Sequence, residues 1–158
     1  MNSSSYAAYI ISENIVSPLG FTAEENFKNV SENRTGVKTI RDPEFIPVRF
    51  SGARLEDTLL EKEFQKLNVS AKYTRLEKMM LLSITDALKR TGIDAQSKET
   101  VFIFSTTKGN IELLNSKFKN EFEASRIQLW KTAQVIAEYF GNKNKPVVIC
   151  GSVSCSNG

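Results

Sequence analysis

The stretch Pro146-Val147-Val148-Ile149-Cys150-Gly151 decides the fold prediction, because a short, wholly apolar run that ends at glycine is typical of a strand buried on both faces. An earlier run, Val101-Phe102-Ile103-Phe104, has the same character and continues into the polar loop Ser105-Thr106-Thr107-Lys108-Gly109-Asn110. Strands of this kind that alternate with helices favour right-handed crossovers and parallel pairing. We therefore predict an α/β fold with a mainly parallel sheet and covering helices.

Two amphipathic helices are predicted around these strands. Residues 71–91 carry an apolar stripe at helical spacing, and Gly92 is placed to end that helix in a left-handed cap. A second stripe precedes Gly141, and we expect Trp130 on it to belong to the core. The stripes consist of Leu76, Met80, Ile84, Ala87 and Leu88 in the first helix, and of Leu129, Trp130, Ala133, Ile136, Ala137 and Phe140 in the second.

The first third of the chain is predicted to contain one strand and one helix. Residues 6–11 form an apolar run that the turn at residues 16–20 interrupts. Thr22 followed by Glu25 is a capping box, with Phe27 and Val30 expected on the buried face and residues 33–36 closing the helix. We expect residues 37–64 to be an irregular excursion with short strands near residues 45–50.

Composition limits the classes of function. The 158 residues fit one domain, the net charge is only +3, and the basic residues are scattered, which argues against a nucleic-acid partner. We expect no membrane segment and a cytoplasmic location, since no apolar run near the start is long enough to span a bilayer or has a basic leader before it.

Two cysteines are too few for a disulfide framework or a four-cysteine zinc site. The chain has no histidine, so a base for a cysteine nucleophile has to come from outside these residues.

The loop Gly151-Ser152-Val153-Ser154-Cys155-Ser156-Asn157-Gly158 is the candidate site, with Cys155 as its nucleophile. Functional groups in parallel α/β sheets gather where strands end at their carboxyl edges. A helix beginning near Cys155 would lower the pKa of its thiol and offer N–H groups to an oxyanion. From spacing alone, the alternative is a small-residue loop around a buried, inert cysteine. Cys150 is expected to lie in the strand core and to be structural.

At this point the chain resembles the β-ketoacyl synthases of the thiolase superfamily, in motifs spread over nearly all of its length. Residues 15–20 (Ile-Val-Ser-Pro-Leu-Gly) resemble the opening turn of that family, and residues 33–37 resemble the step that closes its first helix. Ala87-Leu88 with Gly92-Ile93 is similar to the end of the following long helix. Residues 154–158 (Ser-Cys-Ser-Asn-Gly) are similar to the active-site run, although Ser154 replaces the usual alanine and Asn157 a frequent serine or threonine.

The resemblance implies that residues 1–158 are the N-terminal half of a thiolase-like fold, ending just after the nucleophile turn. Such a 3-oxoacyl-acyl-carrier-protein synthase uses its cysteine, here Cys155, for acyl transfer and decarboxylative Claisen condensation in fatty acid or polyketide-type biosynthesis. It needs no metal or organic cofactor. The implied partners are an acyl carrier protein and a complementary C-terminal half that carries the catalytic histidines, in a homodimer or a split-chain assembly. Alone, this chain is expected to be inactive.

The absence of histidine leaves a second hypothesis open. A non-catalytic interaction or scaffold subunit could keep the synthase fold for dimerisation or carrier binding. Condensing activity in the presence of a histidine-bearing partner chain distinguishes the two hypotheses.

Overall fold

The computed structural model describes residues 7–43, 46–115 and 121–151. The described residues of Met1–Leu55 and Ser83–Gly92 form one compact unit, and those of Glu56–Leu82 and Ile93–Gly158 form a second. In chain order, the helices are α1 (Ala23–Ser31), α2 (Asp57–Gln65), α3 (Arg75–Lys89) and α4 (Leu129–Tyr139), and the strands are β1 (Val37–Ile40), β2 (Phe50–Ala53), β3 (Ile103–Ser105) and β4 (Val147–Ile149).

The sheets confirm the mixed α/β class. β3 and β4 pair in parallel, with Ile103 opposite Val147 and Ser105 opposite Ile149. β1 and β2 pair antiparallel instead, with Val37 opposite Ala53. The parallel pairing predicted from the two apolar runs is therefore present in β3 and β4. Their expected burial on both faces was wrong, because Ile103 is 62% exposed and Val147 45% exposed. The β1–β2 hairpin was not predicted from the sequence.

The first unit departs from several predictions. Residues 7–11, the described part of the predicted first strand, form no strand. Thr22 does cap α1, since its Oγ1 accepts a hydrogen bond from Glu25 N at 3.1 Å. The face assignment was wrong, however: Phe27 is 77% exposed and Val30 59% exposed, and Asn26 is the buried residue of α1. An amphipathic pattern specifies a face only where another surface is available to cover it.

Residues 37–64 are more regular than predicted. They contain the hairpin β1–β2 and the helix α2, which the sequence reading treated as part of an irregular excursion. The expected strand at residues 45–50 lies further along, at Phe50–Ala53, and Phe45 is outside the described residues. Prolines at 43 and 47 masked this regularity, because they interrupt the periodicity just before the strand begins.

The second unit contains most of the buried apolar residues. Helix α4 packs its predicted stripe inward at Ala133, Ile136 and Ala137, and it ends at Gly141, whose φ of 71° is the left-handed conformation that was expected. Gly92 does not adopt that conformation. The buried apolar side chains of this unit are Leu60, Phe64, Leu81, Phe104, Ala133, Val135, Ile136 and Ala137.

Trp130 corrects another expectation, because it is 54% exposed and does not belong to the core. It lies at the start of α4, whose buried residues begin only at Thr132. Among the described residues, no helix combines the length and apolar character needed to cross a membrane.

Candidate active-site edge

The parallel strands β3 and β4 end at a common edge, and we call the residues that follow them there the carboxyl edge. The ladder continues past the strands, because Thr106 N donates a hydrogen bond to Ile149 O at 3.2 Å. Val147 N donates to Phe102 O at 2.9 Å at the other end of the pair. Thr106 and Ile149 are thereby neighbours, although more than forty positions separate them in the sequence.

The predicted nucleophile, Cys155, lies outside the described residues, which end at Gly151. The structure describes β4, the strand that precedes Cys155 in the sequence. In α/β proteins, functional groups occur at the carboxyl ends of such parallel strands. Cys150 is exposed, so the expectation that it packs in a strand core was wrong. It follows Ile149, the last paired residue of β4, and strand pairing therefore does not bury it.

The loop after β3 forms a tight turn at the carboxyl edge. Gly109 N donates a hydrogen bond to Thr106 Oγ1 at 3.1 Å, and Gly109 has a φ of 55°. A side chain at this position would overlap Leu129, the first residue of α4. Glycine is thus favoured here by its backbone conformation, and any larger residue would also displace the Leu129 side chain.

Asn110 closes this loop and is completely buried. Its Nδ2 lies 3.0 Å from Glu77 Oε1, 2.9 Å from Arg126 O and 3.0 Å from Thr132 Oγ1. Its Oδ1 accepts a hydrogen bond from Thr74 Oγ1 at 2.6 Å. One carboxamide therefore joins the loop after β3 to the start of α3, to the start of α4 and to the 3-10 turn Ala124–Ile127 that precedes α4.

A buried ion pair supports Asn110. Arg126 Nε donates to Glu77 Oε1 at 3.0 Å, and Arg126 NH2 donates to Glu77 Oε2 at 2.6 Å, which is the two-bond geometry that makes arginine–carboxylate pairs strong. The Glu77 side chain is 0% exposed and that of Arg126 is 16% exposed. Because burying an unpaired charge is very costly, each of these side chains depends on the other.

The same glutamate caps α3. Thr74 N donates to Glu77 Oε2 at 2.9 Å, and Glu77 N lies 3.3 Å from Thr74 Oγ1, which together form a reciprocal capping box. The sequence prediction missed this centre. The sequence did contain a signal for the cap, since Thr74-Arg75-Leu76-Glu77 has the capping-box spacing. The contacts of Glu77 with Asn110 and Arg126 have no such local signal, because these residues are far from Glu77 in the sequence.

We refer to Thr74, Glu77, Asn110, Arg126 and Thr132 as the Asn110 cluster. The Glu77 carboxylate is bound by Arg126, Asn110 and the backbone of Thr74, so it is not available as a general base. The cluster holds the carboxyl edge in place and has no reacting group of its own. In the part of the chain that the structure describes, no group of three or more His, Cys, Asp or Glu side chains is arranged to hold a metal.

Tyr73 lies next to this cluster between two other rings, with centroids 5.7 Å from Phe64 and 5.9 Å from Tyr139. Burial raises the pKa of Tyr73 above its ordinary value of 10.0, and the nearby Tyr139 raises it further. The neutral phenol is therefore the stable form at physiological pH.

No protein-family model matches the sequence, and no curated protein matches it with significant similarity.

Proposed function

We propose that the chain is the N-terminal, thiolase-like half of a β-ketoacyl-acyl-carrier-protein synthase in which Cys155 accepts the acyl group. The observation that carries this proposal is the parallel pairing of β3 with β4. In this pairing, β4 ends at the same edge as β3, next to the loop that Asn110 anchors. This placement agrees with the order of motifs along the sequence, in which the active-site run directly follows an apolar strand.

The proposed reaction has two steps. The Cys155 thiolate attacks the thioester carbonyl of an acyl group on a carrier protein, a new thioester forms at Cys155, and the carrier thiol leaves with a proton. A malonyl thioester then loses carbon dioxide, and its carbanion attacks the acyl-cysteine carbonyl. The new carbon–carbon bond forms as the bond to sulfur breaks, which regenerates the Cys155 thiolate.

The described residues contribute rigidity to this reaction. A nucleophile has to be held in a reactive geometry, and small displacements of its support lower the rate strongly. The Asn110 cluster fixes the loop that neighbours β4 through buried hydrogen bonds and a buried ion pair. We infer that this fixed loop forms one wall of the acyl-binding site.

The proposed assembly includes a second component. Because the chain contains no histidine, the histidines that assist decarboxylation in this class of enzyme are supplied by a complementary C-terminal half. We propose a cytoplasmic homodimer or split-chain assembly that receives its substrates from an acyl carrier protein. The same absence of histidine favours the second candidate, a non-catalytic subunit that retains the fold to bind the carrier or its partner.

The test uses tagged protein isolated from its source cells together with its bound partners. The preparation is treated with a cerulenin-type epoxide, digested and analysed by mass spectrometry. We expect the label on Cys155, loss of labelling in Cys155→Ala, and unchanged labelling in the matched control Cys150→Ala, although the Cys150 thiol is exposed.

A second measurement separates the two candidates. Release of carbon dioxide from malonyl-carrier protein, dependent on Cys155, is expected of the synthase. Binding of the carrier without labelling of Cys155 would support the non-catalytic subunit, and labelling confined to Cys150 would contradict the proposed nucleophile.

A further inference from the structure

An open cavity of about 610 Å³ lies in the second unit, between one face of α4 and the segment that leads into β4. This volume falls in the range of small-molecule sites, about 300–1,000 Å³. Trp130, Gln134, Ala137 and Glu138 form the helical wall, since their spacing places them on one face of α4. The cavity adjoins the amino end of β4, whereas the carboxyl edge lies at the other end of that strand.

The opposite wall, residues 142–146, is fixed by two asparagines. Asn142 Nδ2 donates to Ala95 O at 2.6 Å and to Thr100 O at 3.0 Å. Asn144 Nδ2 lies 2.9 Å from Lys98 O and 2.8 Å from Thr100 O, and Asn144 N donates to Asn142 Oδ1 at 2.9 Å. Both carboxamides are thus committed to the backbone of the loop beneath them, which makes this wall rigid.

The lysines that alternate with those asparagines are exposed. Within the described ranges, neither Lys143 nor Lys145 forms an ion pair. Glu138 is the acidic side chain of the lining, and its Oε1 already accepts a hydrogen bond from Gln134 Nε2 at 2.7 Å. The cavity therefore presents an excess of positive charge on a rigid support.

Trp130 supplies an apolar surface to the same cavity. Trp130 is 54% exposed, and its Nε1 donates to Gln128, so the indole is oriented by a hydrogen bond. Lys131 Nζ lies 6.0 Å from the centre of the ring and adds a further positive charge nearby. An oriented, half-exposed indole in a cavity with lysines that form no ion pair with any described residue matches a ligand that has both a flat apolar part and a negative charge.

We propose that this cavity binds a planar aromatic anion, with its ring against Trp130 and its anionic group beside Lys143 and Lys145. The cavity lies at the amino end of β4, and this proposal does not depend on the proposed condensing activity. Failure of either proposal leaves the other unchanged.

The probe is 8-anilinonaphthalene-1-sulfonate, and its uncharged analogue N-phenyl-1-naphthylamine is the control ligand. Trp130 is the single tryptophan of the chain, so quenching of its emission and energy transfer to the probe report binding at this cavity. We expect one sulfonate probe per chain with saturable Trp130 quenching. The uncharged analogue is expected to bind at least about fivefold more weakly, since it lacks attraction to the lysines.

The variant Lys143→Glu/Lys145→Glu is expected to weaken sulfonate binding by about tenfold or more at low salt, because both charges reverse. Its matched control, Lys38→Glu/Lys62→Glu, makes the same change of net charge at two exposed lysines elsewhere and should leave binding within about twofold. Circular dichroism verifies that both variants are folded. The proposal would be overturned by equal losses of probe affinity in the two variants or by probe binding without Trp130 quenching. It would also be overturned if a second copy of the chain covered Trp130, which would be seen as a shift of Trp130 emission on dilution.

Discussion

Two asparagines organise the two units, and they do so in different surroundings. Asn26 Nδ2 donates to Ile15 O at 3.0 Å, Gly20 O at 3.1 Å and Thr22 O at 2.8 Å, and it joins the start of α1 to the turn before it. Asn110 makes the same number of contacts through Nδ2. In both units, one carboxamide joins groups from separate segments of the chain.

The difference lies in what surrounds each amide. The Asn110 cluster contains a buried ion pair and adjoins an apolar core. Of the described residues in the first unit, only Leu55 is buried besides Asn26. Water can replace a lost hydrogen bond near a surface but not inside a core, so equal geometry does not imply equal stabilisation.

The largest effect is expected from Arg126→Met. This change leaves the Glu77 carboxylate buried without its partner, which costs about 3–5 kcal/mol of unfolding free energy. Urea unfolding measures the loss. The double variant Glu77→Gln/Arg126→Met removes the stranded charge and should recover more than half of it, and a double variant as unstable as the single one would show that the charge is not the cause.

Asn110→Ala should cost about 2 kcal/mol, because it leaves buried groups of Thr74, Arg126 and Thr132 with fewer partners. The loop after β3 should also open more often. Cleavage by a lysine-specific protease after Lys108, in that loop, is the local measurement, and it should accelerate in the variant. Unchanged cleavage would contradict the anchoring role of Asn110.

Asn26→Ala should cost less, about 1 kcal/mol, since water can reach the carbonyls that it serves and alanine is the better helix former. Hydrogen exchange in α1 should increase while exchange in α4 stays unchanged. If Asn26→Ala lost as much unfolding free energy as Asn110→Ala, the proposed difference between the surroundings of Asn26 and Asn110 would be wrong.

The smallest effect concerns pH and Tyr73. Its pKa in the folded protein is raised, mainly by burial, above the unfolded value of 10.0. The corresponding stabilisation is present below pH 10 and is lost as the pH rises through the folded pKa, because the unfolded chain ionises first. As the pH rises above 10, the unfolding midpoint should therefore fall less in Tyr73→Phe than in the unchanged protein. Parallel curves of midpoint against pH for the two proteins would show that folding does not raise the pKa of Tyr73.

Much of the local structure was predictable because its causes are local. The Thr22 cap, the inward stripe of α4, its left-handed end at Gly141 and the strand character of residues 147–149 all follow from short-range patterns. The candidate nucleophile Cys155 stays a prediction, since it lies outside the described residues.

The sequence by itself determined the α/β class, the caps at Thr22 and Gly141, and the order β3, α4, β4 in the second unit. Only the tertiary structure decided that Glu77 and Asn110 are buried, that Phe27 and Trp130 are exposed, and that β1 and β2 form a hairpin. The physical reason is that a side chain is buried only when a second surface covers it. A helix encodes its own apolar face, but residues far away in the sequence determine whether that face, or a single charged side chain, is covered.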